Sequence, residues 1–481
     1  MVIGTRLMAE TLDPQQASNA TNEFYNAPVY NTLVTFNAQG ELAPELAVEW
    51  EIAKDAKSLT LKLRDGVTFH SGNPFTADDV VYTLERAKKV GTGVAAFIAG
   101  VESATAQDDS TVTIKLRETN LDAINALSMV YILDSALVKQ HEGNDNAQQW
   151  LANNDAGSGA FAMKAFKPSQ QVSLARFDGY WEPLAGRPSV LEMRMIPEAS
   201  AVRDELQAGG IDIGYEIAAA DKPLFESSDK YQVVTIPGPI QTYVNLNMKG
   251  KWTSDPRVRE ALQLSYDYQG HLDTILHGRG KFATGLASDT VRCRAELPAL
   301  HQDLERAKSL IKEAGAEGAT LTLAYQTGPV EHNMAGTVLQ SSLREIGLNV
   351  EIKNVTFPQY LEMLSSPETV PDLGIAWDFA AYPSVGPMLQ RAWHSSAIGQ
   401  TNASQYSNAQ VDALLDASAE SVDAQQACDD LVEAQKLIAA DRPTLYVANR
   451  AIQIIADKRV TGIQFMPTSQ VFDASLIELA K

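Results

Sequence analysis

The sequence of 481 residues has almost no cysteine, no long apolar run and no excess of basic residues. No apolar stretch approaches the ~18 residues that indicate a membrane-spanning helix. No basic segment followed by an apolar one opens the chain, so a signal peptide is not expected within it. The two cysteines, Cys293 and Cys428, have no neighbouring cysteine at zinc-ligand spacing, and a structural zinc site is therefore not expected.

Those two cysteines leave two alternatives open. In an oxidising compartment two cysteines within one domain can form a disulfide. They can equally remain two buried thiols. The separation that a disulfide requires is a property of the fold, so the sequence alone does not decide between them.

The charge balance argues against one class of partner. With 60 acidic and 39 basic residues, the formal net charge is −21. Nucleic-acid binding needs clustered Lys and Arg against the phosphates, so a nucleic-acid partner is not expected. Total charge says little about a small ligand, whose affinity depends on a few buried groups.

Recognisable catalytic motifs are also missing. The chain has no Gly-x-Ser-x-Gly, no paired-histidine metalloprotease helix and no Walker loop. Seven histidines are scattered singly, of which His332 and His394 fall in candidate binding regions. We therefore predict a protein that is not an enzyme, with no cofactor, no catalytic residue and no metal site. A hydrolase is the alternative from another functional class.

Size and periodicity predict an α/β protein of more than one domain. A chain of this length exceeds what one hydrophobic core supports. Val190 to Ile213 reads as strand, helix and strand, and Thr320 to Lys353 repeats that alternation. Residues 5–12 are expected to form a first strand, and residues 22–33 present apolar side chains at helical spacing.

The segment from Glu41 to Arg86 is the most informative part of the chain. From Ser58 to Arg64 apolar and polar residues alternate, as in a half-buried strand. A turn and a second short alternation follow. Thr76 is then expected to cap a helix whose first turn carries Asp78 and Asp79, where carboxylates suit the helix dipole. Strand, loop and capped helix follow from local physics alone.

This segment also resembles the signature region of the large bacterial solute-binding proteins of family 5, the peptide, nickel and opine class that serves ABC importers. The matching residues are Pro44, Leu46, Ala47, Trp50, Arg64, Asp65, Gly66, Phe69, His70, Gly72, Pro74 and Ala77 to Val80. Further matches to the family's phrases run along essentially the whole chain.

The resemblance implies a periplasmic-binding-protein-like α/β fold with two lobes, a ligand cleft between them and a small subdomain inserted in the first lobe. The expected boundaries are 1–35, 157–238 and 449–481 for the first lobe, 36–156 for the inserted subdomain, and 239–448 for the second lobe. The first crossing is placed where Pro237, Gly238 and Pro239 are expected to interrupt two strands.

The resemblance likewise implies a function. The expected protein is a periplasmic receptor, monomeric, whose signal peptide has been removed and whose Met1 need not be native. It captures a solute in the cleft, closes by hinge motion and delivers the solute to the membrane permease of an ABC importer. A short peptide is the leading ligand; an opine, a sugar derivative, another amino-acid conjugate and a nickel chelate are the alternatives.

Trp377 and Asp378 are the central candidate ligand residues. They follow an apolar strand, and ligands of α/β domains lie outside the carboxyl ends of strands. In peptide-binding relatives an acidic residue near a tryptophan here receives the peptide's amino group. This chain departs from the relatives in having Tyr382, not an acid, before the proline. Asp378 is expected to be either an ammonium's counter-charge, shielded by Trp377 and Tyr382, or an aspartate bonded to loop amides.

The stretch from Asp378 to Asn408 is expected to be a long aromatic loop, and loops of this length in compact domains are usually functional. Arg391 is a candidate for holding a carboxylate in a forked contact. Asp372, before the strand, is expected to tolerate asparagine almost silently. The remaining ligand-binding candidates are Phe379, Tyr382, Trp393, Asn402, His332, Asn22, Phe24 and Tyr25.

Overall fold

The computed structural model describes residues 1–9, 11–16, 20–215, 217–467 and 472–480. The chain divides into two compact units. Unit 1 comprises Met1–Ile236 and Ile452–Lys481, and unit 2 comprises Pro237–Ala451. The chain passes between them twice, in the long strands Tyr231–Leu246 and Thr444–Asp457.

Unit 1 is built on a mixed sheet. The strand Val2–Thr5 pairs in parallel with Val190–Met195 and with Ile213–Tyr215. Gln171–Arg176 and Phe161–Lys167 continue the sheet as antiparallel strands. Residues 6–9, 11 and 12 lie outside any strand, so the expected first strand over 5–12 is wrong: strand pairing ends at Thr5, where the register with Met195 also ends.

A second, four-stranded antiparallel sheet in unit 1 contains most of the signature segment. Its order is Ala47–Ile52, Ser58–Leu63, Thr111–Leu116 and Val101–Asp108. The predicted alternation is confirmed, because Leu59, Leu61 and Leu63 are buried in a core that also contains Ile114. The predicted helix is confirmed as Ala77–Val90, and Thr76 caps it through a capping box with Asp79.

The remaining elements of unit 1 are short. Strand pairs are Val34–Phe36 with Leu42–Pro44, and Val460–Thr461 with Glu478–Leu479. Helices are Ala20–Asn26, Ala123–Ala126, Ser135–Val138, Gln148–Leu151, Ala199–Ala208 and Lys222–Glu226, with 3-10 turns at Gly93–Ala96, Leu127–Met129, Lys139–His141, Ala219–Asp221 and Ala474–Leu476. The helix expected over residues 22–33 therefore ends early, at Asn26.

The glycine-rich turn before Phe161 has a packing explanation. A Cβ on Gly157 would lie 2.1 Å from the carbonyl oxygen of Val29, and one on Gly159 would lie 2.5 Å from its carbonyl carbon. Two backbone segments approach each other there too closely for any side chain. A strand, not a helix, follows at Phe161, so no helix N-terminus stands behind this turn to bind a phosphate.

Unit 2 contains three parallel strands in the order Asn349–Val355, Thr320–Gln326 and Leu373–Asp378. Tyr231–Leu246 pairs antiparallel with the last of these. The short strand Gly280–Phe282 pairs with Thr444–Asp457. The helices are Pro256–Ser265, Tyr268–Gly270, Leu304–Glu313, Val330–Glu345, Phe357–Leu364, Gly386–Trp393, Ala409–Glu420 and Ala424–Asp441, with a π-helix at His271–Ile275 and a 3-10 turn at Ser395–Ala397.

The expected break at Pro237-Gly238-Pro239 is wrong. One strand runs from Tyr231 to Leu246 through both prolines. Its pairing with Leu373–Asp378 begins only at Gln241. Because proline lacks only the N–H donor and is tolerated where no ladder bond is needed, the strand continues across this segment.

The stretch from Asp378 to Asn408 is not one irregular loop either. It contains the helix Gly386–Trp393, which has Pro387 in its first turn, where the missing N–H costs nothing. Met388, Leu389 and Trp393 bury one face of that helix. With only two turns, the helix is too short to show a clear period in the sequence.

The alternative that the sequence left open for the cysteines is resolved in favour of a disulfide. Cys293 and Cys428 are joined, with their Cα atoms 5.0 Å apart. Gln435, seven residues after Cys428 on the same helix, adds two further bonds: its Nε2 donates to the Cys293 carbonyl and its Oε1 accepts from the Ala295 amide. The irregular segment after Phe282 is thereby attached to the helix Ala424–Asp441.

Candidate functional site

The candidate site of unit 2 lies at the carboxyl end of the strand Leu373–Asp378. Trp377 pairs with Thr242 and Asp378 with Gln241 on the neighbouring strand. Successive side chains of a strand point to opposite faces of the sheet. The side chains of Trp377 and Asp378 therefore lie on opposite faces of the sheet and have different neighbours.

Asp378 forms an ion pair with another predicted site residue, Arg391. Its Oδ1 accepts hydrogen bonds from the Arg391 guanidinium and, at 2.8 Å, from the Phe379 amide. The negative charge of Asp378 raises the pKa of Arg391 further above its usual value. The side chains of Asp378 and Arg391 are 19% and 45% exposed respectively, so both charges are partly open to solvent.

On the other face a buried carboxylate is surrounded by donors. The Thr242 hydroxyl donates to Oε1 of Glu331, and Nε2 of His271 lies 3.5 Å from that oxygen. Nε of Arg450 lies 2.9 Å from Oε2. Burial by itself raises the pKa of the Glu331 carboxyl, but these neighbours outweigh it and hold that pKa at about 2.

Trp377 lies between Arg450 and His332. The Arg450 guanidinium carbon is 4.2 Å from the centre of the indole ring, and the His332 ring centre is 4.5 Å away on a tilted contact. Within the described residues, Nε1 of Trp377 and both ring nitrogens of His332 are buried without a hydrogen-bond partner. Burial lowers the pKa of His332 to about 4, so the imidazole is neutral at pH 7.

The other predicted residues of unit 2 are mostly buried. Tyr382 and Trp393 are 6% and 2% exposed, and the Trp393 ring packs edge-on against Tyr243. Phe379 is half-buried. Asn402 is also buried, and its amide bonds to His394 and Tyr406 main-chain atoms. Ligand contact by Asn402 stays a prediction and requires breaking these bonds.

The predicted residues of unit 1 lie in or next to its core. Phe24 stacks on Tyr215, with ring centres 5.9 Å apart, and the Tyr25 hydroxyl donates to the Leu7 carbonyl at 2.9 Å. Asn22 is buried, and its Nδ2 donates to the Thr11 carbonyl. Their role as ligand residues also stays a prediction.

Sequence reasoning missed Glu331, Arg450 and His271. Glu331 is next to the predicted His332, but no local pattern distinguishes a buried glutamate at a helix start from a solvated one. Arg450 and His271 come from distant elements, the strand Thr444–Asp457 and the π-helix. A π-helix is rare and is often found at functional sites, yet the sequence gives no signal for it.

The silent substitution expected at Asp372 stays a prediction, but the side chain makes hydrogen bonds that the sequence did not reveal. Its Oδ2 accepts hydrogen bonds from the amide and the hydroxyl of Thr322, at 2.8 and 2.9 Å. Asp372 thereby fastens two parallel strands together, so its replacement is expected to disturb the sheet beneath the site.

The described part of the chain also lacks the features of a metal site and of a membrane span. No group of three or more His, Cys, Asp or Glu side chains in those ranges has a geometry that holds a metal ion. No helix of those ranges has both the length and the apolar character needed to cross a membrane.

Comparison with known proteins assigns the family. The profile of the bacterial extracellular solute-binding proteins, family 5 (middle region), matches residues 41–400, about three quarters of the chain. The chain therefore belongs to the family 5 solute-binding proteins.

Curated relatives and solved structures agree with that assignment. The probable D,D-dipeptide-binding periplasmic protein DdpA of Escherichia coli (strain K12) is 28% identical, with 98% of this chain and 93% of that protein aligned. The structure of the ABC transporter-associated periplasmic binding protein DppA of Helicobacter pylori, in complex with the peptide STSA, has a TM-score of 0.83 at 23% identity and covers 100% of this chain and 98% of that one.

A second solved structure has a different ligand. The binding protein AgaA of A. tumefaciens R10, in complex with agropinic acid, gives a TM-score of 0.80 at 20% identity, with 100% of this chain and 99% of that chain covered. The periplasmic-binding-protein-like α/β fold class is thereby confirmed. One fold accommodates both a peptide and agropinic acid, so the ligand has to be argued from side chains.

Proposed function

We propose that this family 5 protein captures a short peptide with a free amino terminus and delivers it to the membrane permease of an ABC importer. The observation that carries the proposal is the ion pair of Asp378 and Arg391 at the carboxyl end of a strand. Both charges are partly exposed, at the edge of an α/β sheet where ligands lie.

The ion pair fits a ligand that carries charges of both signs. An ammonium group takes the place of Arg391 beside Asp378, and the released guanidinium donates two hydrogen bonds to the ligand's carboxylate in a forked contact. Because one charge pair replaces another, neither protein charge is left desolvated and unpaired. A peptide with free termini supplies both groups.

The face around Trp377 supports the same proposal. His332 and Trp377 offer three buried nitrogens without partners among the described residues. A peptide's carbonyl and amide groups satisfy such donors and acceptors, which gain most where water is excluded. A solute lying across the end of the strand meets Asp378 on one side and Trp377 on the other.

The wider role follows from the family. We infer a periplasmic location, a monomer that works with permease subunits, and binding without turnover. Closure of a cleft over the solute, the inserted subdomain and the ligand roles of Asn22, Phe24 and Tyr25 remain predictions. Recovery of the intact solute after denaturation separates the receptor from a hydrolase.

A thermal-shift screen tests the ligand class. Unblocked alanine peptides of two to five residues are compared with their N-acetylated and C-amidated forms, with an opine, an oligosaccharide and a nickel chelate as the other classes. A ligand at about 100 times its dissociation constant adds ~2.7 kcal/mol of stability. We expect stabilisation by the unblocked peptides only; stabilisation by the other classes alone contradicts the proposal.

An anionic opine is the second candidate, and the exposure of Arg391 favours it. That guanidinium is more exposed than the carboxylate it pairs with. A ligand with two carboxylates and no ammonium would recruit Arg391 and leave Asp378 on the Phe379 amide. Equal stabilisation by acetylated and free peptides would favour this class.

A further inference from the structure

We propose that Arg450 is a positioning residue of the ligand site, which fixes the indole of Trp377 and ties it to the strand by which the chain leaves unit 2. The effect that we expect on ligand binding rests on the proposed function. The geometry behind it concerns the side chains of unit 2 alone.

Arg450 makes two side-chain contacts that fix its plane. Nε lies 2.9 Å from the Glu331 carboxylate, and the guanidinium lies over the Trp377 ring at 4.2 Å. Glu331 is held in turn by the Thr242 hydroxyl. A guanidinium is planar and stacks on aromatic faces while it bonds in its own plane, and a lysine ammonium does not combine these functions.

No hydrogen bond to the described residues fixes the indole of Trp377. In the described structure its Nε1 has no hydrogen-bond partner. Its ring also contacts the imidazole of His332, whose ring nitrogens are without hydrogen-bond partners in the described ranges. Packing against the Arg450 guanidinium therefore sets the position of the indole ring. An indole that is already held in place loses less entropy when a solute packs on it.

The backbone of Arg450 is itself fixed. Arg450 pairs with Gly280 in the sheet. A Cβ on Gly238 would lie 2.3 Å from the Arg450 carbonyl oxygen, so the two strands that connect the units touch at this residue. Arg450 therefore joins a candidate ligand-contacting ring to the point where both connecting strands meet.

The test uses the full-length protein with 5-fluorotryptophan at all six tryptophans. The ¹⁹F resonance of Trp377 is the one that disappears in Trp377→Phe. The variant is Glu331→Gln/Arg450→Gln, which removes both charges and keeps their shapes, so that no unpaired carboxylate remains. Arg450→Lys retains the charge and tests the planar contact. The matched control is Arg306→Gln/Glu313→Gln, an exposed pair of the same unit.

We expect the neutral double variant to fold, to shift or broaden the Trp377 resonance alone, and to bind tri-alanine about 5- to 10-fold more weakly than wild type. Arg450→Lys should retain the thermal stability and still displace the Trp377 resonance, while the control leaves all six resonances and the affinity unchanged. A Trp377 resonance at its wild-type position in both Arg450 variants overturns the inference.

The two arms separate this inference from the proposed function. If tri-alanine fails to bind the wild type, the peptide proposal fails, and the ¹⁹F resonance still decides whether Arg450 positions Trp377. If the resonance shifts but the affinity for tri-alanine stays unchanged, the indole is not part of the ligand site and the inference is also wrong.

Discussion

Buried carboxyl groups behave in opposite ways in the two units. In unit 1 burial raises the pKa of Glu23 and of Glu45 to about 7. In unit 2 the pKa of Glu331, which is also largely removed from water, is held at about 2. The difference shows that burial alone raises the pKa of a carboxyl group, while hydrogen-bond donors and charges beside it decide whether the final pKa is raised or lowered.

The partners explain the contrast. Glu23 accepts a hydrogen bond from the Tyr131 hydroxyl, and Glu45 accepts bonds from Asn31 and Thr32. These donors are neutral and offset only part of the desolvation cost. Glu331 has the Arg450 guanidinium and the His271 imidazole beside it.

The two units should therefore respond oppositely to pH. In unit 1 the folded pKa lies above the unfolded value of 4.5, so stability is full below pH ~4.5 and falls as pH rises towards 7. In unit 2 Glu331 contributes stability above pH ~4.5 that is lost as pH falls towards 2. His332 adds a loss of stability as pH falls from 6.5 towards 4, because its pKa is lowered from 6.5 to about 4 in the folded protein.

Removing the carboxylate of unit 2 should have the largest effect. Glu331→Gln leaves the Arg450 guanidinium without its counter-charge, and breaking a buried pair from one side costs about 3–5 kcal/mol. Urea unfolding at pH 7, followed by hydrogen exchange in the strand Leu373–Asp378, measures the loss. Glu313→Gln, on the exposed surface of the same unit, serves as control. A loss below ~1 kcal/mol would mean that Glu331 is not buried with its charge.

Removing the disulfide should have the next largest effect, and this effect should be confined to unit 2. Cys293→Ser/Cys428→Ser removes a bond that closes a loop of 135 residues in unit 2. A disulfide typically contributes about 2–4 kcal/mol through its constraint on the unfolded chain. Hydrogen exchange should increase along the helix Ala424–Asp441 and leave the strands of unit 1 unchanged. Equal effects in both units would show that they unfold as one.

Neutralising an acid in unit 1 should have the opposite sign. Glu23→Gln keeps an acceptor for Tyr131 and removes a charge that is unfavourable above pH 7. The free energy of unfolding at pH 8 should rise by about 1–2 kcal/mol, with almost no change at pH 5. Glu118→Gln, at an exposed position, should change neither value. A variant that is less stable at pH 8 would place a cation beside Glu23.

His332 provides the smallest and most local test. Its ring protons should titrate near pH 4 in NMR spectra, well below the usual value of 6.5, because the buried ring resists charging. Ligand binding should shift that midpoint if a solute carboxylate or carbonyl reaches the ring. A midpoint at 6.5 in the free protein would mean that the imidazole is solvated.

Periodicity predicted the fold well where one element follows its own local signals. The strand Ser58–Leu63 and the helix Ala77–Val90 combine alternation, a cap and charged first and last turns within one short segment. The strand through Pro237 and Pro239 was not predicted, because its continuity depends on which neighbouring strands need its N–H groups. The helix Gly386–Trp393 was not predicted either, because two turns are too short to show a helical period of apolar residues.

The site was predictable only in part. Position after an apolar strand identified Trp377 and Asp378, but the sequence does not reveal that alternation sends them to opposite faces and into separate networks. The pairing of Asp378 with Arg391 joins two candidates that were considered separately. Arg450 lies more than seventy residues from Trp377 in sequence, so the contact between them exists only in the folded chain.

The most direct test of the receptor account is a binding cycle measured by calorimetry. Tri-alanine and N-acetyl-tri-alanine are titrated into wild type, Asp378→Asn and the control Asp429→Asn, an exposed aspartate of unit 2. Breaking a desolvated charge pair from one side costs ~2–5 kcal/mol, so Asp378→Asn should bind tri-alanine at least ~30-fold more weakly. Acetylation should weaken wild-type binding by a similar factor and add little further loss in the variant. Normal binding of tri-alanine by Asp378→Asn, or equal affinity of wild type for both peptides, would contradict the account.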